Sequence, residues 1–457
     1  MKRFVLVLMV LALILPVLAQ DDMATPTVEV SDQAILDGTV TISAVYSEGP
    51  GFIVIHTDNG EGAPGPIIGH RSINSGWSYN VAVSVDAASA TPTLFAMLHS
   101  DTGEVGVYEF GQVEGADGPV KVDDKVVTPP FNVDVVLVHD QFLSDNTLMA
   151  DTVIAQADGW LVVHADNDGR PGPVLGAAQV SAGLNEDVAV ALDGDITQVL
   201  WPMLHVDTGT AGEYEFGQVE GADGPVIHNG KVATFPIWTV PHVRAGNQLL
   251  DMNTVTASSV LSEGDGWLVV HADNDGAPGP VLGAAPLAPG LNTNVVVELE
   301  GDITNTVWPM LHVDTGTVGE YEFGQVEGAD GPVKVNDAVV TFPISVVPSI
   351  TYEGTLSGTT LTVSEAVIDQ HGWLVIHADN GGAPGPVLGY TALPAGVNHN
   401  VVVELNADGL TDTVFPMLHY DTGEAGAYEF GQVEGTDGPV KVGDAVVTGP
   451  MTPEVSE

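Results

Sequence analysis

Two short blocks hold the residues best suited to chemistry. In the first, a histidine closes an apolar run and an aspartate follows two positions later: His56 with Asp58, His164 with Asp166, His271 with Asp273 and His377 with Asp379. In the second the pair runs on into Thr-Gly: His99 with Asp101, His205 with Asp207, His312 with Asp314 and His419 with Asp421. A neutral imidazole offers one nitrogen lone pair and a carboxylate two oxygens, so two such pairs brought together would suit zinc, copper or another transition metal. Nothing in the spacing forces them together. As strand-end histidines hydrogen-bonded to carboxylates and loops, the same residues would be purely structural. The segment His164-Ala-Asp-Asn-Asp-Gly, repeated from His271, sets acidic oxygens in alternation before a glycine, a partial match to a calcium loop. It has His at the first ligand position and no glutamate at the twelfth, and Gly60 and Gly381 replace the second aspartate elsewhere, so it reads better as an Asx-type surface turn. No organic cofactor is implied, and a divalent ion (Zn, Cu or Ca) is the one cofactor the residues suggest.

Other chemistries find less support. Asp-Thr-Gly surrounds the catalytic aspartates of pepsin-like proteases, which need two carboxylates sharing one proton across a symmetric interface. Here it follows His-x and has no downstream apolar-apolar-Gly partner, so a strand-end turn explains it better. No serine stands beside a repeating histidine as a nucleophile, cysteine is absent, and no glycine-rich phosphate loop opens a helix. The expectation is a protein that is not an enzyme. Trp160, Trp267 and Trp373, with Trp201 and Trp308, could build a sugar-stacking platform, which makes a carbohydrate-binding repeat one alternative. As openers of apolar strands they fit a core more readily.

The elements that must position these side chains are strands. Thr39-Val-Thr-Ile-Ser-Ala-Val and Asn400-Val-Val-Val-Glu-Leu alternate with period two, and no amphipathic helix of useful length appears. Alternation puts Trp160, Val162, His164 and Asp166 on one strand face, and Met203, His205 and Asp207 on one face of another. Val120-Lys-Val-Asp-Asp-Lys-Val-Val and its counterparts from Val226, Val333 and Val440 place two Asp, Asn or Gly residues between short strands, as two-residue hairpin turns require.

The first-block histidines recur at intervals of 108, 107 and 106 residues and the second-block histidines at 106, 107 and 107. Two markers with one period mean four tandem copies, each the size of a whole domain. The copies are placed at residues 27–133, 134–240, 241–347 and 348–450, with short linkers that predict a semi-rigid rod. About seven strands per copy predict an all-β chain of four antiparallel β-sandwiches, immunoglobulin-like in architecture. Tyr108, Tyr214, Tyr321 and Tyr428, each in Tyr-Glu-Phe, loosely match the tyrosine corner of such sandwiches.

Ten basic against 61 acidic residues give a formal charge of −51. Such a surface repels polyanions and excludes nucleic-acid binding. Lys2 and Arg3, the apolar run from Phe4 to Leu18 and Val17-Leu18-Ala19 read as a cleavable signal peptide over residues 1–19. No later segment is long and apolar enough to span a bilayer. The expected location is therefore secreted or cell-surface.

Gly-Trp-Leu-Val-Ile-His-Ala-Asp, Ala-Pro-Gly-Pro-Val-Leu-Gly, Pro-Met-Leu-His-x-Asp-Thr-Gly and Tyr-Glu-Phe together resemble a tandemly repeated domain of unknown function seen in secreted and cell-surface proteins of archaea and bacteria. The resemblance implies location and a β-rich fold, and no activity. Copy one departs most, with Phe52 at the tryptophan position. The functional expectation is a non-enzymatic scaffold or interaction module of the envelope or extracellular matrix, with an extracellular protein or polysaccharide as partner. A metal-binding module using the His-x-Asp pairs is the other alternative.

Overall fold

The computed structural model describes residues 25–36, 38–104, 106–228 and 230–455. The expected export signal, residues 1–19, lies outside them. Apart from one short 3-10 turn, Ala87–Ser89, every regular element among the described residues is a strand.

Copy two shows how the alternating runs become a sandwich. One layer has Thr147–Ala155 between Pro130–Leu137 and Gly183–Ala191, three strands of a seven-stranded sheet that runs on into copy one. A four-stranded sheet has the order Pro171–Val180, Gly159–Asp166, Val199–Val206, Ile237–Trp238. All these pairings are antiparallel, and these three and four strands form the two layers of an immunoglobulin-like sandwich. Between the layers Leu161, Val163, Leu200 and Leu204 meet Leu148, Val153 and Val190 in one buried cluster. Each of the other copies has its own equivalent cluster. At ~25 cal/mol per Å² of apolar surface removed from water, these cores supply most of the driving force in a chain with no disulfides.

The small hairpins have the expected turn chemistry. Asp123 and Asp124 (φ 50° and 64°) and Asn336 and Asp337 (φ 49° and 64°) occupy the left-handed region that two-residue hairpin turns need. Each hairpin belongs to a long excursion after the second histidine block, residues 207–236 in copy two, which folds back over the outer face of the four-stranded sheet.

The joints between copies are tighter than linkers. Pro130–Leu137 begins in copy one, pairing Pro130, Phe131 and Asn132 with Phe95, Leu94 and Thr93, and ends in copy two, pairing Val135, Val136 and Leu137 with Ile154, Val153 and Thr152. One strand thus belongs to two sandwiches. At the next two joints Pro241 and Pro348 lie between the paired segments, and the strand is divided there because proline cannot donate to a ladder. Between copies two and three, Arg244 grips the buried Asp140 with two bonds of 2.7 Å and lies 4.5 Å over the ring of Trp238. A cavity of about 790 Å³ lies where copies one, two and three meet.

The rod expected from the short linkers is not formed. Arg71 of copy one donates to the carbonyls of Ala395 and Val397 and to Asn398 of copy four, Asn74 donates to Leu393 and Asn80 to Asn400. The chain therefore turns back and copy four meets copy one. Linker length alone does not reveal such a contact.

Candidate functional site

The sheet that carries the two blocks is four-stranded in copies two and three, three-stranded in copy four and continuous with the sheet of copy two in copy one, and in each copy its first-block strand is buried on both faces. Its inner face is apolar. Its outer face carries the first-block strand residues Trp160, Val162 and His164 beside the second-block residues Met203 and His205, with Trp160 paired opposite His205, Val162 opposite Met203 and His164 opposite Trp201. The other copies repeat this register, with Met97 opposite Val54, Met310 opposite Val269 and Met417 opposite Val375. All eight block histidines are buried.

Each excursion is held down by an aspartate that the sequence reading missed. Asp223, fully buried, accepts from the backbone N–H groups of Thr208 (2.8 Å) and Glu215 (2.5 Å), and its own N–H donates to Thr208 Oγ1 (2.8 Å). Asp117, Asp330 and Asp437 repeat the arrangement. The available signal was an Asp-Gly recurring with the same period as the histidines.

Both histidines of a copy are oriented through Nδ1. His164 Nδ1 lies 2.8 Å from the carbonyl oxygen of Gly172, as do His56 from Gly65, His271 from Gly279 and His377 from Gly385. His205 Nδ1 lies 2.6 Å from the carbonyl of Asp223, with His99, His312 and His419 placed identically against Asp117, Asp330 and Asp437. A carbonyl can only accept, so Nδ1 carries the hydrogen in every ring and Nε2 keeps its lone pair. Seven of the eight Nε2 atoms are buried with no hydrogen-bond partner among the described residues, and the eighth, of His205, lies 3.2 Å from Met203 Sδ. Burial lowers the pKa values of His56, His99, His164 and His271, and takes those of His205, His312 and His419 to about 4.

The fold brings the two histidines of each copy together. Ring centres are 6.1 Å apart for His56 and His99, 5.7 Å for His164 and His205, 5.6 Å for His271 and His312, and 6.0 Å for His377 and His419. The aspartates go elsewhere. Asp166 accepts from Gly169 N–H and from Trp201 Nε1 (2.9 Å), Asp273 likewise from Trp308 Nε1 (2.9 Å), Asp58 from Gly60 and Gly62, and Asp379 from Gly382. These are turn contacts, which use the oxygens a calcium loop would need. In the second block Asp101, Asp207, Asp314 and Asp421 each accept from a glycine N–H five residues on, at 2.8 Å. Among the described residues no three His, Asp or Glu side chains converge as a metal-binding set. The register shift that breaks the strand between His164 and Asp166 explains part of this, since the aspartate already belongs to the turn.

The favoured core reading of the tryptophans holds, and the tyrosine-corner match does not. Trp160, Trp267 and Trp373 are only 8, 8 and 5% exposed, and pack against Tyr214, Tyr321 and Tyr428 with ring centres 5.4, 5.4 and 5.5 Å apart, so they form no sugar platform. The tyrosines form no corner. The hydroxyls of Tyr214, Tyr321 and Tyr428 have no partner among the described residues, because these residues lie on the excursion over the outer face. Phe216 then stands edge-on over His205 at 4.8 Å, as Phe110, Phe323 and Phe430 do over the other second-block histidines.

Fold and site together define a class: tandem immunoglobulin-like sandwiches, each with a loop-covered outer face carrying two oriented histidines and a methionine. The chain belongs to the family described as Domain of unknown function (DUF7282), whose pattern matches four times, over residues 26–134, 135–236, 241–347 and 348–452. No curated protein matches it. Among solved structures, the N-terminal eight Ig domains of Down Syndrome Cell Adhesion Molecule isoform 1.30.30 are similar at 9% identity and TM-score 0.16, over 95% of this chain and 48% of that one. This chain thus spans about half the length of that structure. The tetra-tandem repeat in the extending region of a large adhesion protein is similar at 12% identity and TM-score 0.14, over 88% and 97% of the two chains. Lac15 from a marine microbial metagenome is similar at 15% identity and TM-score 0.11, over 65% and 91%. No helix among the described residues is long and apolar enough to cross a membrane.

Proposed function

We propose that the protein is a secreted or cell-surface scaffold, non-enzymatic, whose four sandwiches act as one rigid interaction body in the envelope or extracellular matrix. The observation that carries this reading is the way the copies are joined. A strand shared by copies one and two, the Asp140–Arg244 grip between copies two and three, and the return of copy four onto copy one leave no free linker to make a flexible string. Such a body holds its surfaces at fixed mutual positions, as presenting sites to an extracellular protein or polysaccharide requires. Its 61 acidic residues keep it dispersed and away from polyanions.

Small-angle scattering tests the shape and cell fractionation tests the place. The scattering curve should give a compact maximum dimension well short of four sandwiches end to end. The protein should be removed from intact cells by external protease and begin near Gln20 when its N-terminus is sequenced. Recovery in the cytoplasm with Met1 intact, or a rod-like scattering profile, would overturn the reading.

A further inference from the structure

We propose that each sandwich binds one monovalent copper ion on the outer face of the sheet that carries the two blocks, between the Nε2 atoms of its two histidines and the thioether sulfur of the methionine between them. In copy two the ligands are His164, His205 and Met203. The other sets are His56, His99 and Met97; His271, His312 and Met310; His377, His419 and Met417.

The orientation of the rings carries the argument. His164 is anchored through Nδ1 to Gly172, next to Pro171, which pairs with Asp166 beyond the histidine's own position; Nε2 is thereby turned back along the strand toward the Val162–Met203 pair. His205 is anchored to Asp223, on the excursion strand whose Pro225 bridges to His205 on the side away from the first block. Its Nε2 faces the opposite way, and lies 3.2 Å from Met203 Sδ. Both lone pairs are thereby turned into the space between the two strands, where Met203 Sδ stands beside His205. With a metal–nitrogen bond of about 2.0 Å added to the ~1 Å from ring centre to nitrogen, two imidazoles sharing one ion have centres up to about 6 Å apart. The four observed separations, 5.6 to 6.1 Å, reach that limit, as a wide nitrogen–metal–nitrogen angle requires.

The donor set selects the ion. A thioether is a soft ligand that favours Cu(I) over zinc, calcium or magnesium. Three neutral ligands leave the site with the charge of the ion alone, and with no third His, Asp or Glu side chain converging there a divalent ion would bury twice that charge without an anion beside it. Entry is past the capping phenylalanine, since Phe110 and Phe430 are 39 and 38% exposed while the histidines beneath them are fully buried.

The test is anaerobic titration of the four-copy protein with Cu(I) against bicinchoninate, a coloured Cu(I) chelator. Four equivalents should be withdrawn from the chelator, and X-ray absorption of the copper should show sulfur as well as nitrogen neighbours. Changes confined to copy two keep the other three sites as internal controls. His164→Ala/His205→Ala should leave three equivalents. Met203→Leu, nearly volume-conserving and so expected to fold, should weaken one site by more than the roughly 10-fold that loss of an outer-shell partner brings. Fewer than four equivalents withdrawn by the unaltered protein, four equivalents in the double variant, or a Met203→Leu protein with unchanged affinity and sulfur signal would each overturn the proposal.

Discussion

The inner and outer faces of the four-stranded sheet of copy two are made by the same strands, residue by alternate residue, yet they are buried by different means. On the inner face Leu161, Val163 and Leu204 meet the apolar side chains of another sheet. On the outer face Trp160, Val162, His164, Met203 and His205 are nearly as inaccessible, but what covers them is a single excursion, held by Asp223 and by a few backbone bonds to the edge of the sheet. A sheet-on-sheet core cannot open without unfolding the domain. A face covered by a loop can open locally, and it is the face where polar lone pairs are kept without protein partners. The comparison separates a surface that stabilises from a surface that is held ready.

Substitutions that strike one face and spare the other test this separation. The largest effect is expected from Leu161→Ala, which leaves a cavity between two sheets and should cost about 2–5 kcal/mol, whereas Val162→Ala on the outer face should cost less because the excursion can settle into the space. Hydrogen exchange of the amides in Gly159–Asp166, compared between the two variants, gives the ranking; equal losses would dissolve the distinction. Next comes Asp223→Ala, which takes the acceptor from two part-buried N–H donors, a loss of about 1 kcal/mol for each hydrogen bond. The amides of Thr208 and Glu215 should then exchange rapidly and Trp160 emission should shift, while the inner core of copy two stays protected.

Acid should loosen the outer face first. The pKa values of His205, His312 and His419 fall from 6.5 to about 4 on folding, chiefly through burial, so between those values the unfolded excursion binds protons that the folded one does not. Stability is full above pH 6.5 and declines as pH falls toward 4, by up to about 1.4 kcal/mol per pH unit for each histidine. Limited proteolysis at pH 7 and pH 5 should show cleavage within 207–236 rising at the lower pH before any cut in the strands.

The smallest energetic change touches neither face. Arg71→Ala removes the guanidinium bonds to Ala395, Val397 and Asn398 and should lengthen the particle in scattering while leaving each domain's melting nearly unaltered.

Much of this was legible in the sequence because it is local. Period-two alternation in Gly159–Asp166 and the Asp-Asp and Asn-Asp turns specify strands and hairpins residue by residue, and the twice-marked interval near 107 specifies four copies. Three things were not local. Which partner each Nδ1 finds, and hence where each Nε2 points, depends on Gly172 and Asp223, 8 and 18 residues away and held by pairing the sequence does not display. Alternation tells which side chains share a face, and it is blind to what covers that face, so Trp160 and Tyr214 can be read as platform or corner until the excursion that carries Tyr214 is laid over Trp160. The meeting of copies one and four depends on how three joints are set, and residues such as Arg71 and Val397, 326 positions apart, carry no signal of one another until the chain has closed. Sequence fixes geometry within a strand and its turns, where steric rules act over a few bonds; distances between chain-remote groups follow only from packing the finished domains.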